Sequence, residues 1–337
     1  MTHFDIVPVD PSDHALVQSW LAAKEAVRLH DHPDRPWNPV RSLTSLVTSV
    51  KGNRNERWAA VCDGRVLGFL DFTLPELDNT HMAEFDAGVL PDERRRGVGS
   101  ALLRHAEDRA AEEGRTNLST WVWLADEPES RTGSEFVITK DFKLSLECAV
   151  RSCDLDKVDE AAIDGLLESA WAKAEGFELI VFEGAPTDEL LDGMAYLHAR
   201  MYTDMPLGDW DLQEANIDRG RLLDWERQRR QRGELHLQAV VRHQESGEIA
   251  GFTEIVIEGG EERHCHQGNT IVDPRFRGHR LGTILKAANQ KRIREWRPKM
   301  SHVWTGNAIS NDHMISINEA VGYRLAGLEH VFQKKLG

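Results

Sequence analysis

Residues 273–282 of the chain are DPRFRGHRLG, and residues 90–99 are LPDERRRGVG. The two stretches lie 183 residues apart and share their proline, an arginine and the final glycine. The same spacing recurs upstream of both stretches, where it relates Gly64 to Gly247, Gly68 to Gly251 and Phe69 to Phe252. Repeated coincidence at one spacing indicates an internal duplication, so we expect two copies of one fold.

The length of 337 residues agrees with two domains of ordinary size. We expect an N-terminal domain over 1–155, a helical linker over 156–177 and a C-terminal domain over 178–337. The linker is predicted to be helical because it is rich in alanine and acids at helical spacing.

The composition limits the partners and the location of the protein. A net charge of −15 argues against nucleic acid as a general partner, so any anion site must be local. No apolar run is long enough for a membrane span, and the first residues do not have the pattern of a secretory signal; we therefore expect a cytoplasmic protein. The four cysteines form no Cys-x-x-Cys pair, which predicts no metal site.

Both copies show the same predicted order of three short strands, a glycine-rich loop and a helix. In the first copy the strands are predicted at 57–62, 66–72 and 83–90, with a helix from about 100 to 114. In the second copy they are predicted at 235–242, 249–257 and 268–272, with a helix from about 283 to 296. Two further helices are expected ahead of the second set, at 189–201 and 212–232.

The glycine-rich loops are the candidates for chemistry. A loop between a strand and a helix directs several backbone N–H groups outward at the positive end of the helix dipole, which favours anions. In the first loop Gly97 and Gly99 permit close approach, and Arg94, Arg95 and Arg96 supply charge. In the second, residues 275–294 contain seven basic residues and no acid. A solvated helix start is the alternative reading of either loop alone; a dinucleotide fold and a P-loop require other glycine patterns.

Residues 89–103 and 272–285 resemble the acetyl-CoA loop of the GNAT N-acetyltransferase superfamily. In the second copy, residues 304–307 and 311–323 also resemble the last strand and last helix of that family, including its Gly-Phe/Tyr signature at Gly322 and Tyr323. The resemblance covers nearly the whole chain as a tandem arrangement, similar to mycothiol synthase and related actinobacterial two-domain acetyltransferases. It implies an α/β (α+β) fold, with two GNAT-like domains that each have a mixed, mostly antiparallel central sheet and helices on both faces.

The resemblance also implies the residues that bind acetyl-CoA or another acyl-CoA. In the second copy they are Val272, Arg277, Gly278, His279, Arg280, Leu281, Gly282, Thr283, Asn311 and Asn318, with the Val272 N–H as the expected donor to the acyl oxygen. In the first copy they are Val89, Arg94, Arg95, Arg96, Gly97, Val98, Gly99 and Ser100. Two positions depart from the family pattern: Arg280 replaces a glycine, which either adds a phosphate contact or crowds the loop, and Asp141 replaces the glycine of the signature in the first copy.

This asymmetry implies a division of roles between the copies. The first copy has no asparagine-rich last helix, so we expect it to be non-catalytic, and the second copy to be the catalytic domain. The implied activity is transfer of an acetyl group to the primary amine of a small molecule, by direct attack in a ternary complex. The alternative is a non-catalytic acyl-CoA sensor. The two copies form an internal pseudo-dimer, which favours a monomer.

Removal of a proton from the amine requires a base, for which Glu254 is the first candidate, with His266 and Glu258 in reserve. A merely solvated strand glutamate is the alternative reading of Glu254. Asn318 stands where the family usually has a tyrosine that protonates the departing thiolate, and an asparagine cannot act as an acid. Asp204 and Asp209 lie where the resemblance places entry of the acceptor, although each also fits an ordinary acidic turn.

Overall fold

The computed structural model describes residues 3–48, 51–124 and 132–337. Two compact units make up the chain. Unit 1 comprises Met1–Glu147, Leu207–Leu212 and Gly327–Gly337, and unit 2 comprises Cys148–Pro206 and Gln213–Ala326. The units differ from the domains expected from the repeat, because residues 148–155 belong to unit 2, whereas 207–212 and 327–337 belong to unit 1.

The first half of the chain alternates strands with helices that start at clear capping residues. Asp13 accepts a hydrogen bond from Leu16 N–H at the start of the first helix, and Asn38 caps the second in the same way. The elements are β1 (Asp5–Pro8), α1 (His14–Asp31), α2 (Pro39–Val47), β2 (Asn53–Cys62), β3 (Arg65–Pro75), β4 (Met82–Val89), α3 (Val98–Glu112), β5 (Asn117–Leu124), α4 (Thr132–Ile138) and β6 (Lys143–Asp154).

The second half repeats this order after a connecting helix. Asp159 caps that helix by accepting hydrogen bonds from Ala161 and Ala162 N–H. The elements are α5 (Glu160–Trp171), β7 (Phe177–Glu183), α6 (Asp188–Asp204), α7 (Arg219–Gln231), β8 (Leu235–His243), β9 (Ile249–Ile257), β10 (His264–Val272), α8 (Leu281–Trp296), β11 (His302–Ala308), α9 (Asp312–Ala320) and β12 (Arg324–Lys335).

The two units have the same sheet topology. In unit 1 the strands lie in the order β1-β2-β3-β4-β5, and residues 328–335 of β12 pair with β5. In unit 2 the order is β7-β8-β9-β10-β11, and residues 148–154 of β6 pair with β11. Only β4–β5 and β10–β11 are parallel among these pairs of the described chain; the other pairs are antiparallel.

Helices cover both faces of each sheet. In unit 1, α1 buries Trp20 against Phe69 on one face, and α3 buries Leu102 against Leu70 and Phe72 on the other. In unit 2, side chains of α6 and α8 pack on opposite faces in the same way. Because both faces are covered, most of β9 is buried, which explains its continuous apolar appearance. The expected α/β (α+β) class is confirmed.

The predicted elements differ from the structure in several places. The helix expected over 212–232 begins only at Arg219, because Asp218 caps it by accepting from Arg221 N–H. The linker helix begins at Glu160, after a 3₁₀ turn over Leu155–Lys157. The strands β6 and β12, which follow the last helix of each copy, were not among the predicted elements, nor were β1, α1, α2, β5 and β7. No helix in the described ranges is both long and apolar enough to cross a membrane.

Candidate functional site

The loop between the third strand and the long helix has the same backbone in both units. A 3₁₀ turn follows the strand, at Pro91–Glu93 in unit 1 and at Pro274–Phe276 in unit 2. Two residues with positive φ then precede the helix. They are Arg95 (62°) and Gly97 (94°) in unit 1, and Gly278 (91°) and Arg280 (56°) in unit 2. Each loop therefore has one glycine and one arginine in the left-handed region, in opposite order.

Each loop presents a row of backbone N–H groups without a backbone acceptor among the residues described. The row covers residues 95–100 in unit 1 and 278–282 in unit 2. The next N–H along the chain is used in each case: Ala101 donates to the Gly97 carbonyl at 3.0 Å, and Thr283 donates to the Arg280 carbonyl at 3.1 Å. Such a row at a helix N-terminus is suited to a diphosphate.

Arg94 and Arg277 fix the loops to the preceding strand. Arg94 Nε donates to the Val89 carbonyl at 3.1 Å and its terminal nitrogen pairs with both oxygens of Asp31, at 2.7 and 2.9 Å. Arg277 makes the equivalent contacts, to the Val272 carbonyl at 3.4 Å and to Asp204 at 3.2 Å. Both guanidinium groups are thus held by protein contacts, and their binding to a coenzyme stays a prediction.

The free positive charge of each loop comes from another arginine. Arg95 and Arg280 are exposed and form no ion pair or hydrogen bond with the described parts of the chain. Arg96 is paired with Glu93 at 3.1 Å. The rest of the basic window at 275–294 pairs with acids, except for the buried Lys286. Arg280 does not crowd its loop, since its side chain faces solvent.

The strand before each loop separates from its parallel neighbour and leaves a backbone donor pointing into the gap. Pairing of β10 with β11 covers only His264–His266. Further along, Asp273 N–H donates to the Ala250 carbonyl at 2.9 Å. Hydrogen bonds alternate in direction along an antiparallel strand, so the N–H of Val272 points away from β9, towards the side of β11. Val89 has the same orientation in unit 1, because Leu90 N–H donates to the Leu67 carbonyl.

A family comparison agrees with this geometry. The model of the acetyltransferase (GNAT) family matches residues 17–131 and 200–323. The chain belongs to the GNAT family. No curated protein sequence matches it significantly.

Solved structures support a tandem GNAT arrangement. A tandem GNAT protein from the clavulanic acid biosynthesis pathway is 25% identical, with a TM-score of 0.81 and 99% of each chain covered. A GCN5-related N-acetyltransferase from Sphaerobacter thermophilus is 16% identical, with a TM-score of 0.67 over 99% of this chain and 96% of that one. A glucosamine N-acetyltransferase region of a fungal multi-domain β-N-acetylglucosaminidase is 12% identical, with a TM-score of 0.71 over 99% of this chain and 38% of that one.

In the GNAT unit 2, the predicted base Glu254 lies inside a buried charge network. Glu254 is 4% exposed, and one carboxylate oxygen contacts His236 Nε2 at 2.9 Å while the other accepts from Asn269 N–H at 3.1 Å. His236 Nδ1 lies 2.5 Å from Glu226, which also accepts from Arg229 at 2.9 Å. Burial alone raises the pKa of Glu254, but the hydrogen bond and charge of His236 and the charge of Arg229 lower it overall. Glu254 as the base stays a prediction.

Asn311 and Asn318 occupy helix α9 differently from each other. Asn311 caps the helix, because its side chain accepts from Met314 N–H at 3.2 Å. Asn318 is fully buried; it accepts from Lys286 Nζ at 2.6 Å and donates to Asn307 Oδ1 at 3.2 Å. Burial lowers the pKa of Lys286 to about 7. No pattern in the sequence indicated that Lys286 is buried and bonded to Asn318, the position where the GNAT family usually has tyrosine.

The two predicted acceptor-binding acids belong to different units. Asp204 pairs with Arg200 at 2.6 Å as well as with Arg277, and it belongs to unit 2. Asp209 belongs to unit 1, where its N–H donates to the Ser145 carbonyl at 2.8 Å and its side chain is exposed. The reserve residues His266 and Glu258 approach each other at 3.9 Å.

The other loop residues divide between the core and the loop surface. Val98, Leu281 and Gly282 are buried at the helix starts, and Gly99, Ser100 and Thr283 are half-buried. His279 is also half-buried, and its Nδ1 lies 3.3 Å from the Phe276 carbonyl.

Proposed function

We propose that this GNAT protein is an acetyl-CoA-dependent N-acetyltransferase that acetylates the primary amine of a small molecule by direct attack, with the chemistry in unit 2. The observation that carries the proposal is the row of backbone N–H groups at 278–282, separated by one 3₁₀ turn from a strand whose Val272 N–H points into the gap beside β11. The row of N–H groups binds an anion, and the Val272 N–H is placed to polarise a carbonyl.

The residues present fit an acyl-CoA. The diphosphate is matched by the unpaired N–H groups of 278–282 and by the free guanidinium of Arg280. The bound coenzyme supplies an activated acyl thioester. Val272 N–H would hold the acyl oxygen, and the gap between β10 and β11 leaves room for the arm that carries the thioester.

Unit 2 is proposed as the catalytic unit because its last helix carries the asparagine of the family motif. Helix α9 contributes Asn318 to a bonded chain with Asn307 of β11, which lies at the separated end of that strand. Helix α4 of unit 1, described over Thr132–Ile138, contains no asparagine, and Asp141 has a positive φ of 68° at the position where unit 2 has Gly322. Asp204 and Asp209 as amine-binding acids remain proposals. The carboxylate of Asp204 already pairs with two arginines, which makes it less available to a cationic amine than that of Asp209.

The test introduces a carboxylate into the second loop. Thr283→Asp places a negative charge in the first turn of α8, where it suits the helix dipole but repels a diphosphate. The matched control is Thr187→Asp, the same substitution at the exposed N-cap of α6, also in unit 2. Free-thiol release from acetyl-CoA is measured with a panel of amines. We expect amine-dependent release that T283D lowers about 100-fold and T187D preserves. Release that is unaffected by T283D would contradict the proposal.

The presence of Asn318 in place of an acid favours a second candidate function. Since an amide does not protonate a thiolate, a non-catalytic acyl-CoA sensor is the alternative. A leaving thiol with a reference pKa of about 8.5 can also depart without an acid, which favours the enzyme. Tight binding of CoA without thiol release across the amine panel would favour the sensor.

A further inference from the structure

The buried network around Glu254 meets strand β10 at the point where that strand leaves β11. The register between β9 and β10 shifts between Gln267 and Thr270, so Gly268 and Asn269 together lie opposite Glu254. This is a β-bulge with one extra residue in β10. It begins two residues after His266, the last residue of β10 that pairs with β11.

The carboxylate of Glu254 fits the bulge closely. It accepts from the N–H of Asn269, one of the two residues that the bulge removes from the regular β9–β10 ladder. A Cβ atom at residue 268 would lie 2.8 Å from both Cγ and Oε1 of Glu254, so only glycine leaves space for the carboxylate there. Gln267 reinforces the contact by donating from its side chain to the Glu254 carbonyl at 2.6 Å.

The carboxylate is itself held from the other side. His236 of β8 lies between Glu254 and Glu226, and Arg229 of α7 pairs with Glu226 at 2.9 Å and lies 3.7 Å from Glu254. With His236 protonated, the two cations balance the two carboxylates, which is the arrangement that buried charges require. His236 and Glu254 are each 4% exposed, so neither is free to swing towards a ligand without breaking this network.

We infer that Glu254 is a positioning residue: its carboxylate, oriented by His236, holds the β10 bulge and thereby aims the Val272 N–H at the acyl carbonyl. The inference rests on the proposed function, because Val272 has this use only in acyl transfer. It replaces a role in proton transfer by a role in shaping the strand. It also assigns a purpose to His236, Glu226 and Gly268, which the proposed mechanism otherwise leaves unused.

Two substitutions at the same position separate the alternatives. Glu254→Gln keeps an oxygen that accepts from Asn269 N–H, and its amide can donate to a neutral His236 whose Nδ1–H remains on Glu226. Glu254→Ala removes the support of the bulge. With acetyl-CoA and an accepted amine, we expect E254A to lower kcat about 100-fold and E254Q to stay within about fivefold of wild type. The Kd of CoA should remain within about threefold in both, since the loop at 278–282 binds the diphosphate.

A second readout does not depend on turnover. Hydrogen exchange of the backbone amides in residues 264–272 should accelerate in E254A and be restored in E254Q. Gly268→Ala provides an independent variant, in which the added Cβ displaces the Glu254 carboxylate without removing its negative charge. G268A should therefore behave like E254A. If E254A does not fold, G268A is measured instead.

The possible outcomes are distinct. An equal loss of kcat in E254A and E254Q, with loss of the acidic limb of the pH–kcat profile in both, would make Glu254 the base and overturn the inference. If E254A loses both CoA binding and kcat, and E254Q restores neither, Glu254 has only a general structural role. That result would also overturn the inference. If wild type shows no turnover with any amine, the proposed function fails. The exchange pattern then decides alone whether Glu254 holds the bulge.

Discussion

Unit 1 has Arg95 and then Gly97 at the two left-handed positions of its loop, whereas unit 2 has Gly278 and then Arg280. The backbone path, the anchoring arginine and the row of free N–H groups are nevertheless the same. The conformation of the loop is therefore the same in both copies, whereas the free arginine stands at the first left-handed position in unit 1 and at the second in unit 2. An anion site built from backbone groups tolerates such an exchange because its main donors do not depend on side chains.

The acids at equivalent positions of β3 and β9, in contrast, have different contacts in the two units. Asp71 and Glu254 occupy equivalent positions, 183 residues apart. Asp71 lies opposite Asp86 in a regular ladder and pairs with Lys24 and with Arg57, the latter at 3.4 Å. Glu254, one methylene longer, reaches the backbone of a bulge that the β3–β4 ladder of unit 1 does not have. Equal positions in the repeat therefore serve different purposes.

The largest expected effect comes from blocking one loop at a time. Ser100→Asp in unit 1 and Thr283→Asp in unit 2 place the same charge in the first turn of α3 and of α8. If unit 2 carries the chemistry, T283D should lower kcat/KM at least tenfold more than S100D does. Each should remove one acetyl-CoA site that wild type has, as counted by calorimetry. A larger loss of turnover in S100D would reverse the assignment of the units.

A smaller effect is expected from the exchanged arginines. Arg280→Gly and Arg95→Gly each remove one free charge beside the N–H row, so each should weaken acetyl-CoA binding to its own loop about three- to tenfold at low salt. Both should also stabilise the protein by up to about 1 kcal/mol, because glycine adopts positive φ without strain. Calorimetry and urea unfolding measure the two effects. Unchanged affinity in both variants would show that the free arginines do not face the ligand.

The pH dependence of stability should distinguish the network of unit 2, because unit 1 has no equivalent among its described residues. Burial alone lowers the pKa of His236, but its bonds to Glu226 and Glu254 raise it overall. Its contribution is therefore complete below the unfolded value of 6.5 and is lost as the pH rises through the higher folded value. Lys286 acts in the opposite direction above pH 7, so wild type is compared with His236→Gln at each pH.

The expected result is a stability difference between the two proteins that shrinks by at most about 1.4 kcal/mol per pH unit as the pH rises above 6.5. The neighbouring His198 does not obscure this window, since burial lowers its pKa to about 4. A difference that is constant from pH 6.5 to pH 9 would mean that His236 is not charged in the folded protein.

The sequence predicted the parts of the molecule that depend on local patterns. The loops, the flanking strands and the helices α3 and α8 follow from glycine positions and from hydrophobic periodicity, and the duplication made each copy a check on the other. The strands β6 and β12 were missed because they follow the last family motif and are recognised by their pairing partners, which are distant in sequence. The bulge in β10 was missed for a similar reason, as it exists only relative to β9.

Side-chain roles were the least predictable part. Arg94, Arg277 and Asp204 as ligand contacts stay predictions, and the sequence did not indicate that the two arginines pair with acids at the ends of α1 and α6. Glu254 was selected because it is an acid on a suitable strand, and its partners come from α7, β8 and β10. Spacing in the sequence does not encode these pairings, since each depends on how separate elements pack.

The most direct test of the roles assigned to the loop at 278–282, to Val272 and to Glu254 is a crystal structure of the full chain with acetyl-CoA. The expected result is diphosphate oxygens within hydrogen-bonding distance of the backbone N–H groups of 278–282, and the acyl oxygen at the N–H of Val272, with Glu254 still bound to His236 and Asn269 N–H. A diphosphate bound elsewhere in unit 2, or a Glu254 carboxylate turned towards the thioester, would contradict it.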